Sequence, residues 1–258
     1  MYSASLHLPG QPSRFAPRAS HRGQRAPAAT QPRDNSVLAC LTEAHSHEVL
    51  QALQLVALPC GRELIGDLYF PTSGVVCFVH EFENGRSAEF ALTGSEGVVG
   101  LPRFFSGGNS PYHAVVTSAG YAYRLAGKDL QHEEWRGGKE LRYALLCYAH
   151  AFITQIALTA VSNRHDTIDQ QLCRWLLLSL DRLLGDELRI TQDLIATMLG
   201  VRRESVTQAF GTLQSRGMLR CSRGRITILD RAGLEAMAGE CYRISKRGYD
   251  RLVPRPLH

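Results

Sequence analysis

At 258 residues, with 44% hydrophobic and 21% charged side chains, the chain is long enough for two modest domains, each with its own core. That composition excludes wholesale disorder, a collagen-like chain and a coiled-coil rod. The formal charge of +5 is modest but unevenly placed: Leu188 to Arg225 holds Arg189, Arg202, Arg203, Arg216, Arg220, Arg223 and Arg225 against Asp193 and Glu204. Clustered arginine on one module fits a phosphate-backbone partner or a solvated surface, and charge alone does not decide between them.

Residues 1–36 carry five prolines and five arginines, with no acidic residue before Asp34, and read as a disordered basic tail. A weak attraction to nucleic acid, a spacer and an early start codon all fit it. No signal-peptide core opens the chain, and its seven cysteines are scattered and odd in number, so a reducing cytoplasm is expected.

From Val37 to Leu55 the apolar spacing predicts one or two short helices. Leu64 to Leu125 is a run of short segments rich in valine, phenylalanine and tyrosine, broken by turns at Pro71–Gly74, Asn84-Gly85, Thr93-Gly94, Ser106–Gly108 and Ala119-Gly120. This predicts an antiparallel sandwich or barrel. Asn84-Gly85 points to a tight type I′ hairpin joining Val75–Phe82 to Ser87–Leu92.

Glu140 to Val161 has no Gly or Pro, and its apolar rows run along two sides of a helix. His150, Thr154, Gln155 and Thr159 inside its most apolar window argue against a membrane span. A stripe this wide suits a two-fold dimer through Leu141, Leu145, Tyr148, Ala149, Phe152, Ile153 and Ile156, or a long intramolecular core helix. A further helix is expected over Thr167–Leu184.

Thr191 is a good N-cap for a short helix ending at Gly200, and Arg202 to Arg216 starts a second. Small Ala196 stands where the two would touch, and Val206 fills the core between them: a helix-turn-helix outline. Arg202, Arg203, Glu204, Thr207 and Gln208 fall on the outward N-terminal part of the second helix, where base edges are read. Arginine can pair with guanine, glutamate with the cytosine amino group and glutamine with adenine. Met218–Cys221 and Arg225–Leu229 form a wing whose Arg220, Arg223 and Arg225 suit phosphates.

The order of a β-roll, a long helix and a winged helix-turn-helix resembles the Crp/Fnr family of bacterial transcription regulators over residues 37–235. Ile190-Thr191-Gln192, Leu199-Gly200-Val201 and Arg203-Glu204-Ser205-Val206 resemble its DNA-binding motif. Tyr69–Gly74 and Glu96–Gly100 resemble a subgroup of its sensors. The resemblance implies an α+β chain: a β-roll (jelly-roll-like) sensor domain over 37–136, a dimerisation helix over 137–164, a winged helix over 165–240 and a C-terminal tail over 241–258. It implies a DNA contact set of Thr191, Gln192, Arg202, Arg203, Glu204, Ser205, Thr207, Gln208, Arg223 and Arg225, reading a palindromic operator as a homodimer. RNA polymerase is a candidate partner. Gln208 stands where the family often has a third base-reading arginine.

The effector pocket would lie near Gly100, Leu101, Tyr112, His113 and Ala114. Gly100 is followed by leucine rather than glutamate, and Pro111–Ala114 stands where a phosphate-binding arginine would be, so cyclic AMP is not expected and the small-molecule effector is unidentified. No cofactor or metal is expected: an iron–sulfur cysteine cluster is missing, Cys77 and His80 lie on opposite strand faces, and His45, His47 and Glu48 lack zinc-helix spacing. No nucleophile elbow, phosphate loop or metal constellation suggests an enzyme. The competing function is a sensor or partner-binding module of the same fold that does not read DNA.

Overall fold

A computed structural model describes residues 30–41, 49–108, 110–127, 138–183, 186–222 and 224–251. Among the described residues, six strands belong to the N-terminal domain: β1 Gln54–Leu58, β2 Leu68–Pro71, β3 Val75–Glu81, β4 Ser87–Thr93, β5 His113–Ser118 and β6 Gly120–Leu125. They form two antiparallel three-stranded sheets, β1-β6-β2 and β4-β3-β5. The short helix α2, Leu101–Ser106, lies between β4 and β5.

β3 and β4 pair as expected, but the turn is longer than a two-residue type I′ loop. Gly85 N–H donates to Phe82 O and Phe82 N–H to Arg86 O, each at 2.8 Å, which leaves a three-residue loop, Glu83 to Gly85. Gly85 sits at φ 77°, the left-handed position that closes such a loop with a bulge.

β3 is buried on both faces, and the reason lies in the other domain. Val76 and Phe78 face the interior of the roll with Ala114, Val116 and Ala122. Val75, Cys77 and Val79 face outward into a second core shared with Leu172, Trp175 and Leu176. Apolar residues on both faces of a strand need cover on both sides. Cys77 is thus turned toward the C-terminal domain, while His80 is exposed.

The long helix α3, Gly138–His165, lies along the roll. By length and composition Glu140–His165 could cross a membrane. Two of its interior polar groups are instead matched within the chain: Gln155 Nε2 donates to Leu92 O at 3.0 Å, and Thr159 Oγ1 receives Arg174 Nη2 at 2.6 Å. Asp166 separates α3 from Thr167, which caps α4, Ile168–Leu180, in a reciprocal capping box with Gln170. This helix stops at Leu180, short of the expected Leu184.

The C-terminal domain adds β7 Glu187–Arg189, helices α5 Gln192–Leu199 and α6 Arg203–Ser215, the hairpin β8 Leu219–Ser222 and β9 Arg225–Ile228, and helix α7 Arg231–Asp250. β7, which sequence patterning missed, pairs with β9 and makes the wing three-stranded.

Two expected tails are corrected within the described residues. Residues 30–36 are anchored rather than a tail: Pro32–Asp34 is a 3-10 turn, and wholly buried Asn35 caps α1, Ser36–Ala39, while donating to Pro71 O and Gly97 O at 2.8 Å. This asparagine satisfies four backbone groups at once, accepting from Val37 and Leu38 N–H as well, which basic composition does not reveal. The expected tail from 241 is helical to Asp250, burying Tyr242, Ser245 and Tyr249. After the short helix at residues 49–52 the chain enters β1 at Gln54, so the helical expectation ran three residues too far. Residues 1–29, with most of the expected basic tail, and His45, His47 and Glu48 lie outside the described residues.

Candidate nucleic-acid interface

The turn between α5 and α6 is set by local chemistry. Thr191 Oγ1 accepts the Leu194 N–H at 3.3 Å and Asp193 lies in the first turn, so the positive end of α5 is both capped and charge-matched. Gly200, at φ 67°, closes the helix in the left-handed conformation. The chain then needs only Val201 and Arg202 before α6 begins. Ile195, Ala196 and Met198 pack with Val206, Ala209, Phe210 and Leu213, all buried, so the two helices share one core. The small side chain of Ala196 permits that approach.

This packing turns one polar face of α6 outward. Arg202, Arg203, Glu204, Thr207 and Gln208 are exposed, and Ser205 is half-buried beneath them. Thr207 Oγ1 donates to Gln192 Oε1 at 2.9 Å, joining the starts of both helices into one polar surface. Arg203 Nε lies 3.1 Å from Asp193 Oδ1, with both side chains 64% exposed, so the arginine is held weakly and can be released to a stronger acceptor. Of the expected contact set, Thr191, Gln192, Arg202, Arg203, Glu204, Ser205, Thr207 and Gln208 therefore come together at one end of the domain.

The wing contributes Arg225, exposed and 3.4 Å from Glu187 across β7 and β9. Arg223 lies outside the described residues. Sequence patterning missed one link: Gln214 Oε1 on α6 accepts the Cys221 N–H at 3.0 Å and ties the wing to the recognition helix. Arg216, Arg220 and Arg189 are exposed around the same domain.

The expected dimerisation residues are corrected in part. Leu141, Leu145, Tyr148, Ala149 and Phe152 are at most 7% exposed and pack in the roll's own core, and Ile156 is half-buried against it; only Ile153 is exposed, at 64%. The apolar rows seen in sequence belong to the intramolecular side of α3. The opposite side carries Tyr143, Leu146, His150, Ile153, Ala157, Ala160 and Arg164, all exposed, at alternating steps of three and four. That is the a/d spacing of a coiled-coil seam.

The expected effector residues are distributed around a filled core. Gly100 opens α2 at φ 104° and Leu101 is buried. Ala114 is buried, and His113 Nδ1 lies 2.6 Å from Glu63 Oε1, a hydrogen bond that raises the imidazole pKa. Tyr112 stacks edge-on against Phe78 and Phe90, and Phe78 against Phe152 of α3 at 4.8 Å between centroids. Aromatic rings fill this part of the roll down to the long helix.

A β-roll, a long helix and a three-stranded winged helix-turn-helix whose polar α6 face is open follow one another along the chain. Residues 170–237 match the family model described as Crp-like helix-turn-helix domain. A crp/fnr-family regulator from Eubacterium rectale superposes with a TM-score of 0.61 at 17% identity, covering 81% of this chain and 100% of its own. A CRP/FNR-family regulator from Thermus thermophilus gives 0.58 at 20% identity, covering 72% and 99%. CLP from Xanthomonas campestris gives 0.57 at 16%, covering 72% and 99%. No curated protein matches the sequence. The chain has the Crp/Fnr fold, and its C-terminal domain is a Crp-like helix-turn-helix domain.

Proposed function

We propose that this chain is a sequence-specific transcription regulator of the cytoplasm that binds a palindromic operator as a homodimer. The observation that carries the reading is the exposed face of α6, where Arg202, Arg203, Glu204, Thr207 and Gln208 project together from a capped and packed turn. A solvated helix needs neither that turn nor a wing beside it. Arg203, Glu204 and Gln208 carry the groups that read guanine, cytosine and adenine edges, while Arg225 and, by its sequence position, Arg223 suit phosphates.

The homodimer rests on the exposed seam of α3. Tyr143, Leu146 and Ile153 are 71%, 50% and 64% exposed on one narrow stripe, and a second copy of the same helix buries it symmetrically. Two recognition helices would then enter successive major grooves about 34 Å apart. A small-molecule effector remains unassigned by the fold: the Xanthomonas campestris protein is c-di-GMP responsive, whereas the pocket residues here lie around packed aromatic rings.

Fluorescence anisotropy of the full-length protein on random duplex DNA tests the reading at its base. Affinity is expected to fall linearly with salt on a log–log plot, with a slope set by several phosphate contacts. Absence of salt-dependent binding at low ionic strength would favour a partner-binding module in place of a DNA reader.

A further inference from the structure

The match to the helix-turn-helix family model ends at residue 237, yet α7 continues to Asp250. Between the two points the helix breaks: Gly239 adopts φ 71°, ψ −153°, and the chain resumes on a new course. The two ends of the helix serve different cores, and Tyr242, just past the break, still belongs to the first. Leu234, Ala238 and Tyr242 pack with α4 in the core shared by the C-terminal domain and the outer face of β3. Tyr249 packs in the other core, that of the β-roll and α3. Gly248 lies against Ala151 of α3, where an added Cβ would come within 4.0 Å of the alanine Cβ.

We infer that residues 240–250 are an intramolecular clasp that fixes the orientation of the DNA-binding domain on the β-roll and the long helix. Its seat is Arg182, just past α4. The guanidinium lies 4.8 Å from the centroid of the Tyr249 ring, close enough for a cation–π contact. The same guanidinium donates from Nε to Glu96 Oε1 of the roll at 2.6 Å, from Nη2 to Gln155 Oε1 of α3 at 3.2 Å, and from Nη1 to Leu178 O. One buried cation thus joins β-roll, long helix, DNA-binding domain and clasp. The aromatic face of Tyr249 lies against it, at the edge of a cavity of about 200 Å³ that Glu96 and Asp181 also line. The Tyr249 hydroxyl is buried near the same guanidinium without a hydrogen bond of good geometry, so the ring makes the better-formed contact.

Ser162 Oγ, Asp166 Oδ2 and Arg174 Nε are buried around the junction of α3 and α4 without partners, and each such group disfavours the closed arrangement. The clasp spans this junction, and anything that displaces residues 240–250 frees the C-terminal domain to turn about Asp166. The clasp itself does not rest on the DNA-binding reading.

Trp175 provides the readout, since it lies in the core between the domains and its indole donates to Glu89 of β4. With Trp135 replaced by Phe, Trp175 is the only tryptophan of the full chain. In that background Tyr249→Ala is expected to red-shift the emission and to speed proteolysis at residues 163–167 by at least about tenfold, as a large buried ring is lost. Tyr249→Phe should match the parent in both. Should Tyr249→Ala lose its helical circular dichroism, Tyr249→Leu, which keeps apolar volume without the ring, replaces it with the same expectation. Unchanged emission and cleavage in the folded variant, or a Tyr249→Phe variant as open as the alanine, would overturn the clasp.

Discussion

Trp175 Nε1 donates to Glu89 Oε2 at 3.0 Å across the boundary between the C-terminal domain and β4 of the roll. Glu89 is only 9% exposed, and burial pushes its carboxyl up to about 7, outweighing the opposing hydrogen bonds from Cys77 and Trp175 and the charges of Arg174 and Arg182. The folded protein therefore holds this proton more tightly than the unfolded chain. Its contribution to stability is fully present below about pH 4.5 and is lost as pH rises through about 7. Glu89→Gln should remove that dependence and gain on wild type between pH 6 and 8, by roughly 2–3 kcal/mol at the upper end. Urea unfolding of both proteins from pH 5 to 8 checks it, and parallel profiles would refute it.

Gly97 meets the Tyr148 ring so closely that a Cβ there would lie 2.1 Å from Tyr148 Cε2. The ring cannot easily retreat, because its hydroxyl donates to Thr93 Oγ1 at 2.9 Å, and Gly97 O is held by Asn35. Gly97→Ala should destabilise the protein by about 1–3 kcal/mol through overpacking. In a Tyr148→Leu background, with the ring gone, the same substitution should cost less; a double-mutant cycle by urea unfolding measures the difference.

Asp193 shields Arg203 in the free protein. Asp193→Asn should leave stability within about 0.5 kcal/mol, as expected for an exposed pair. It should also tighten binding to every duplex alike, because it removes a negative charge near the phosphates without adding a base contact. Anisotropy on specific and random duplexes at matched salt distinguishes this from a change in specificity.

Ile153→Glu on the exposed seam should yield a folded monomer by sedimentation, with operator affinity reduced by about 100-fold or more as the second half-site is lost. Phe152→Glu, one residue away but in the roll's core, should instead unfold the N-terminal domain, because its charge would be buried without a partner.

The helix-turn-helix was the most legible part of the sequence because its determinants are local: the Thr191 cap, the Gly200 turn and the apolar spacing through Val206 lie within sixteen residues. The β3–β4 pairing was legible for the same reason, although Asn84-Gly85 favoured a shorter turn than the one formed. The face of α3 was not. Both sides of that helix are apolar, and only the position of the roll shows that Leu145 and Phe152 point inward while Leu146 and Ile153 point out. The clasp was equally hidden, since the meaning of Tyr242 and Tyr249 depends on Asp181, Arg182 and Glu96, far away in the chain. Residues 30–36 were misread because proline and arginine content says nothing about a single buried asparagine.

The measurement that bears most directly on the central claim is genome-wide selection of DNA fragments by the purified full-length protein, run beside Arg203→Ala at matched salt. The account predicts a palindromic site enriched by wild type and lost in the variant, with nonspecific binding retained. Enrichment of the same palindrome by both proteins would contradict the assignment of Arg203 and the recognition face of α6 to base reading.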